Sequence, residues 1–447
     1  MSFPIQGGRA LVIPSILGLA LAATLSGCAK TDENSGKNSG ATSSSGVTTL
    51  KVWAQEGQEG EVKAAKDEVA AFNAANPDTK VELTLIPQAT YGQTLTSTAV
   101  DALPDAFEFD GETVASLVYA KKLAPLDGVV SASVISGQLP SIQALGKVGD
   151  KSYSVSQYDS GLGLYGNKKM LADAGITELP TTIDKAWTVD EFEGVLAKLA
   201  AKSKAGKALD IKEQYAGTWP GYAFTPVVNS AGQPLVKNGK ATGALNDPKV
   251  AAALTRFASW RKYVDPDADD KAFTDKRVGL AWVGHWTYPA HKAALGDDLI
   301  VMPLPNFGNG TKSGQGSHSW GIGAKSEKSQ AAAKFLEFIM QDKWVSQITE
   351  ANGAVPGTTA ALSASKLYGP GGDLELYGQQ LARTCGSADP TPECVTVPRT
   401  ISPAWPVINQ KFSDAFWAIY GGAEAQAELD KAAKAIDQDA ADNNNYQ

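Results

Sequence analysis

Cysteine and histidine are scarce in this 447-residue chain, with three of each, and that scarcity removes whole classes of chemistry. His285, His291 and His318 are not paired at metal-ligand spacing, and no Cys-x-x-Cys occurs, so neither a metal centre nor a thiol redox centre is expected. Reaction motifs are missing as well. There is no Gly-x-Ser-x-Gly elbow, no His-Glu-x-x-His and no phosphate-binding P-loop. The chain also lacks an excess of basic residues: 40 Lys and Arg stand against 48 Asp and Glu, for a formal charge of -8, which argues against a nucleic-acid partner. No cofactor is implied. Long hydrophobic runs are absent too, since the one apolar stretch, residues 10–25, is too short for a span of about 20 residues.

That stretch follows Arg9 and stops at Leu25-Ser26-Gly27-Cys28, a charged start, a short apolar run and small residues that together read as a secretory signal over residues 1–27. The four residues ending in Cys28 resemble a bacterial lipobox. The resemblance implies cleavage before Cys28, lipid on its thiol, and an extracytoplasmic protein anchored to the cell membrane. Residues 28–46 then form a tether. Residues 31–49 are almost wholly Ser, Gly, Asn, Thr, Lys and Asp, which cannot build a core and should reach roughly 25 Å as a flexible chain.

Two cysteines remain, Cys385 and Cys394, in a stretch containing Pro, Gly and Asp. Outside the cytoplasm they should form a disulfide, a staple contributing about 2.5–3 kcal/mol on the chain-entropy model.

The body has room for two or more domains at about 100–200 residues each. Residues 49–54 read as a strand, and a helix over 61–75 places Val62, Ala65, Val69 and Phe72 on one stripe before Asn76-Pro77 stops it. Val81, Leu83 and Leu85 alternate as a second strand; residues 106–109 form a third, ahead of a helix carrying Val114, Leu117 and Val118. Thr188-Val189-Asp190-Glu191 is a capping box, and Asp247-Pro248 opens another helix. Residues 278–283 and 299–302 read as buried strands and 329–340 as a helix. The rhythm predicts two α/β lobes with largely parallel sheets.

The order of local signatures resembles the extracellular sugar-binding proteins of ABC importers, the group that contains maltodextrin-binding protein. They are Leu50-Lys51-Val52-Trp53; Leu103-Pro104-Asp105-Ala106-Phe107-Glu108-Phe109-Asp110; Leu123-Ala124-Pro125-Leu126-Asp127; Leu164-Tyr165-Gly166-Asn167-Lys168-Lys169; Val278-Gly279-Leu280-Ala281-Trp282 leading to Gly284-His285-Trp286; and Ser319-Trp320-Gly321-Ile322. Tyr165-Gly166 and Ala281 depart from the pattern. The resemblance implies a type II periplasmic-binding-protein fold, two discontinuous α/β lobes joined by a hinge that the chain crosses repeatedly, near 157–161, 303–307 and 352–357. One lobe is then 47–158 with 306–352, the other 159–305 with 353–447. It further implies a monomeric carbohydrate receptor that does no chemistry and serves a permease with its cytoplasmic ATPase.

Ligands of open α/β sheets gather beyond the carboxyl ends of the strands. Sugars present C–H faces ringed by hydroxyls, so flat aromatics and carboxylates or amides are the expected lining. The chain has ten tryptophans. Trp286 and Trp320, then Trp53 and Trp219, are the stacking candidates, each with core packing as its alternative. Gln55, Glu56, Asp110, Asp159, His318 and Arg399 are the polar candidates, against plain roles in turns, caps or ion pairs. Trp260, Trp344 and Trp417 sit at helical spacing and read as core, while Trp405 either caps the cleft or packs inside. Two rival functions use the same composition. A secreted glycoside hydrolase needs only paired carboxylates at set separations, and a solute receptor for a non-sugar ligand would share the fold.

Overall fold

The computed structural model describes residues 46–385 and 389–446. The leader, Cys28 and nearly all of the tether lie outside the described residues.

The chain first lays down β1 (Thr48–Glu56), β2 (Thr79–Pro87), β3 (Ala106–Asp110) and β4 (Leu123–Ala124), with a small hairpin of β5 (Lys147–Val148) and β6 (Lys151–Ser152). It leaves through β7 (Tyr158–Asp159) and builds β8 (Leu162–Asn167), β9 (Leu209–Asp210), β10 (Leu280–Gly284) and β11 (Leu299–Met302). Next, β12 (Ser313–Gln315) leads back to β13 (His318–Gly323), β14 (Val355–Pro356) leads out again, and β15 (Thr396–Pro398) lies in the last passage. Two sheets result, ordered β2-β1-β3-β13-β4 and β11-β8-β10-β9. Each is the centre of one α/β lobe.

The expectation of largely parallel sheets needs correction. β1 runs parallel to β2 and β3, but β13 is antiparallel to β3 and β4, and in the second sheet β8 is antiparallel to both β10 and β11. β13 enters the first sheet from the side of the other lobe, where β3 ends, so it must run against β3.

Helix α1 (Glu59–Ala75) is fixed at its start by a reciprocal box, Glu61 accepting from the Gln58 amide at 2.7 Å, and ends at Asn76. Its buried stripe is Ala64, Glu68 and Phe72 rather than the Val62, Ala65, Val69 and Phe72 expected, so a carboxyl faces the interior. Phe72 meets Phe335 and Phe338 edge-on at 5.3 and 5.4 Å. On the opposite face of the sheet, α2 (Gln88–Ser97) and α3 (Val114–Tyr119) cover Phe107 and Phe109 through Tyr91, Leu95 and Leu117. The second lobe packs the helices Val189–Lys202, Pro248–Ala258, Trp405–Tyr420 and Ala425–Asp442 over β8 and β10. The capping box of Thr188 with Glu191 and the Asp247 cap both form.

Between the lobes, β7 pairs with β14 and β12 pairs with β15. β7 and β14 lie within the segments 157–161 and 352–357. The crossing expected near 303–307 comes later, at β12. Asn306 is held on the second lobe because its amide donates to the Trp187 carbonyl at 2.8 Å and its carbonyl accepts from Val189 at 3.2 Å. Cys385 and Cys394 form the disulfide, with 4.9 Å between their α-carbons. Among the described residues, no helix is long and apolar enough to cross a membrane.

Candidate functional site

The first lobe contributes a row of carboxylates. Side chains alternate along a strand, so Glu108 and Asp110 at the end of β3 share a face, and register sets Trp320 and His318 of β13 opposite them. His318 lies between the two: Nδ1 is 3.2 Å from Glu108 Oε1, Nε2 is 3.3 Å from Asp110 Oδ1, and the Tyr158 hydroxyl is 3.2 Å from Nδ1. Burial alone would depress the imidazolium, but the Glu108 and Asp110 carboxylates overcome it and hold His318 well above its ordinary range. For Asp110, the hydrogen bond and charge of His318 outweigh burial and lower the carboxyl. The two carboxylates thus favour the charged form of His318, and half-exposed Asp110 keeps acceptor capacity.

The second lobe contributes an aromatic wall. Trp286 follows β10, and Gly284 makes room for it, since a Cβ there would fall 2.1 Å from the indole. Tyr222 lies 6.1 Å from Trp286 at 38°, and Trp219 meets Trp286 edge-on at 5.9 Å. Trp219 is pinned by Nε1 donating to the Ile211 carbonyl at 3.0 Å. All three rings are partly exposed.

Arg399 stands where the two surfaces meet. Its guanidinium carbon is 4.8 Å from the Tyr222 ring centre, Nε donates to the Gln315 carbonyl at 3.2 Å, and Nη1 pairs with Glu112 Oε1. Burial pushes the Glu112 carboxyl up to about 7 against the pull of Arg399. The Tyr222 hydroxyl is 2.6 Å from Ser160 Oγ.

Several expected site residues fall elsewhere. Asp159 is wholly buried in β7 and accepts from Ser141 at 2.6 Å, the Ser160 amide at 2.7 Å and Gln315 at 2.9 Å. A carboxylate so fully used holds the hinge and faces no cleft. Trp320 packs against Val155, Ile322 and Phe335 in the first lobe's core, because its face of β13 is covered by the helix Ser329–Ile339. Only an edge of it reaches a cavity of about 40 Å³ that Gln55, Glu68, Glu108, Gln157 and Tyr158 also line. Trp53 points to the opposite face and packs with Ile86 on the cluster around Phe107. The Gln55 amide donates to Glu108 at 2.8 Å, and Glu56 is exposed at the strand end. Trp405 is buried in the second lobe, as is Trp260; Trp344 and Trp417 are half-buried.

The structure thus brings Asp110, His318, Trp286, Trp219 and Arg399 to one region and adds Glu108, Glu112, Tyr158 and Tyr222, which sequence reasoning did not single out. Glu108-Phe109-Asp110 carried a usable signal: acidic residues two apart at a strand end share a face. Nothing local marked Glu112. Among the described residues no cluster could hold a metal ion. The arrangement sets acceptors on one lobe and partly exposed aromatic rings on the other, joined through the cationic Arg399, equipment for holding a hydroxyl-rich molecule.

The chain matches the family described as bacterial extracellular solute-binding protein over residues 56–345. It is 27% identical over 403 residues to the diacetylchitobiose binding protein DasA of Streptomyces coelicolor, covering 84% of this chain and 87% of that one. The fold is similar to the GacH receptor of Streptomyces glaucescens, with TM-score 0.73 and 21% identity over 88% of this chain and 99% of that one. It is likewise similar to the substrate-binding protein Lmo0181 of Listeria monocytogenes, with TM-score 0.72 and 19% identity over the same shares. Two α/β lobes with interlobe crossings, and a family match across most of both lobes, lead to one statement: this chain belongs to the bacterial extracellular solute-binding proteins.

Proposed function

We propose that this protein is a lipid-anchored receptor that captures an oligosaccharide between its lobes and delivers it to an ABC importer. The observation that carries the reading is the aromatic wall of Trp286, Tyr222 and Trp219 meeting the polar rim of Asp110 and His318. Trp286 and Tyr222, 6.1 Å apart and tilted by 38°, offer two ring faces, with Trp219 edge-on beside Trp286, a lining suited to more than one sugar ring. Trp286 and Tyr222 stack on sugar faces; Asp110 accepts from hydroxyls; His318 and Arg399 donate. Lobe closure then buries the ligand, which binds the closed form better and shifts the population toward it.

The relatives support the same class. One is named for diacetylchitobiose, and similar folds are described with acarbose, cycloalternan, α-D-tagatose and mannotriose. Anchoring rests on the Leu25-Ser26-Gly27-Cys28 signature, with the tether holding a monomeric body near the membrane.

The test uses the full chain carrying Cys28→Ser in thermal-shift and calorimetric titrations with diacetylchitobiose, maltotriose, mannotriose and tagatose, with product analysis. One sugar class should raise the melting temperature with the logarithm of its concentration and leave no breakdown products. No shift with any sugar would move the reading to a non-carbohydrate solute; hydrolysis would overturn it. Expressing the unaltered chain should place it in the membrane fraction, and Cys28→Ser should release it.

A further inference from the structure

Glu112 and Arg399 join the two lobes through the protein's own side chains. Glu112 sits in the turn Gly111–Thr113 at the end of β3, in the first lobe, and its side chain is 2% exposed. Arg399 follows β15, which pairs with β12 against the second lobe, and its side chain is 10% exposed.

The guanidinium has a built seat. Tyr222 lies beneath it, the Gln315 carbonyl accepts its Nε–H, and the absence of a side chain at Gly316 leaves the space for it. A Cβ on Gly316 would fall 1.8 Å from Nη2. The other Glu112 oxygen, Oε2, is buried without a partner among the described residues. A second contact spans the lobes nearby: Tyr119, at the end of α3, meets Tyr446 edge-on at 5.3 Å. Tyr446 packs on the second lobe's core, and its hydroxyl donates to Asp439 at 2.6 Å.

Burying a charge without its partner is costly, and the usual outcome is loss of stability. Here a cheaper relief exists, because swinging the lobes apart would rehydrate Glu112 and Arg399 without unfolding either lobe. The pair's free energy is therefore expressed in the opening equilibrium.

We propose that Glu112–Arg399, assisted by Tyr119–Tyr446, is a clasp that holds the lobes together without ligand, so that a solute enters only after it opens. The inference rests on the two-lobe fold and the named contacts, and is independent of the carbohydrate reading.

The experiment needs no ligand. Spin labels are placed at Gln93→Cys on α2 and Lys198→Cys on the helix Val189–Lys202, both exposed, in the full chain carrying Cys28→Ser, and the interlobe distance distribution is measured. The unsubstituted protein should show a majority short distance. At pH 9, above the value of about 7 to which burial pushes the Glu112 carboxyl, Glu112→Gln and Arg399→Gln should each lower the closed-to-open ratio about tenfold or more. The double variant, with no unpaired buried charge, should recover at least half of that loss on a logarithmic scale. An unsubstituted protein showing only the long distance, single variants with unchanged distributions, or a double variant as open as the two effects multiplied would each overturn the clasp. Tyr446→Ala, at a partly exposed ring, should lower the ratio two- to threefold. If the buried variants fail to fold, an unchanged distribution for Tyr446→Ala overturns the proposal and the expected shift sustains it.

Discussion

Replacing Glu68 by Gln should remove a pH dependence of stability that the fold creates at its hinge. Glu68 is 3% exposed on the inner face of α1, and Oε1 accepts from Gln157 Nε2 at 2.8 Å. Gln157 Nε2 also donates to the Ile339 carbonyl at 3.0 Å, so the contact ties α1 and a neighbouring helix to the residue before β7. Burial raises the Glu68 carboxyl from 4.5 to about 8, only partly offset by the Gln157 hydrogen bond. Between those values the folded state holds a proton that the unfolded chain has released. Stability from this group is thus fully present below pH 4.5 and lost as pH rises toward 8. A shift of this size corresponds to about 5 kcal/mol at most. The adjoining cavity of about 40 Å³ has room for water, which reduces the expected loss to about 2–4 kcal/mol. Glutamine copies the shape of the protonated acid and keeps an acceptor for Gln157. Urea unfolding of both proteins should therefore give nearly equal stabilities at pH 5 and an advantage of about 2–4 kcal/mol for Glu68→Gln at pH 9. Taking the difference between the two proteins cancels groups common to both, such as Glu112 and His318. Parallel stability curves across this range would refute the reasoning, because Glu68 would then ionise in the folded state as it does in water.

Trp286→Ala should weaken binding of the identified sugar about tenfold or more by calorimetry while moving the melting temperature little, since the ring is only partly buried. Trp320→Ala should do the reverse, costing about 3–5 kcal/mol in urea unfolding as a core truncation, with sugar affinity of the folded fraction largely kept. Lys212 holds buried Asp210 and Asp267, each at 2.9 Å, and Asp270 at 2.8 Å. Lys212→Met should destabilise the second lobe by about 3–5 kcal/mol near neutral pH. That deficit should shrink as pH falls and Asp210, whose carboxyl burial already raises to about 7, takes up a proton, a trend readable in urea midpoints.

Local structure was legible wherever a short-range rule decides it. Thr188 and Glu191 satisfy each other's backbone across one turn, Asp247 caps its helix, and Asn76 ends α1, each because the partners lie within a few residues. Alternation was harder to use. Trp53 and Trp320 stand on strands whose two faces are both covered by helices, so hydrophobicity could not say whether either ring faced a cleft. Glu68 broke the expected stripe of α1 because its partner, Gln157, arrives from the distant hinge segment.

The site itself could not be read from sequence for a related reason. Asp110 and His318 are neighbours only because β13 returns from the second lobe and pairs antiparallel with β3. Arg399 reaches Glu112 only because β15 pairs with β12, which carries the chain between lobes. Each of these contacts depends on a crossing, and crossings leave no periodicity: they are short extended segments with their hydrogen bonds spent on one another. Chemistry placed at a hinge must draw its groups from several passages of the chain. Residues such as Glu112 are consequently silent locally, since their partner and their burial are both set by distant passages of the chain.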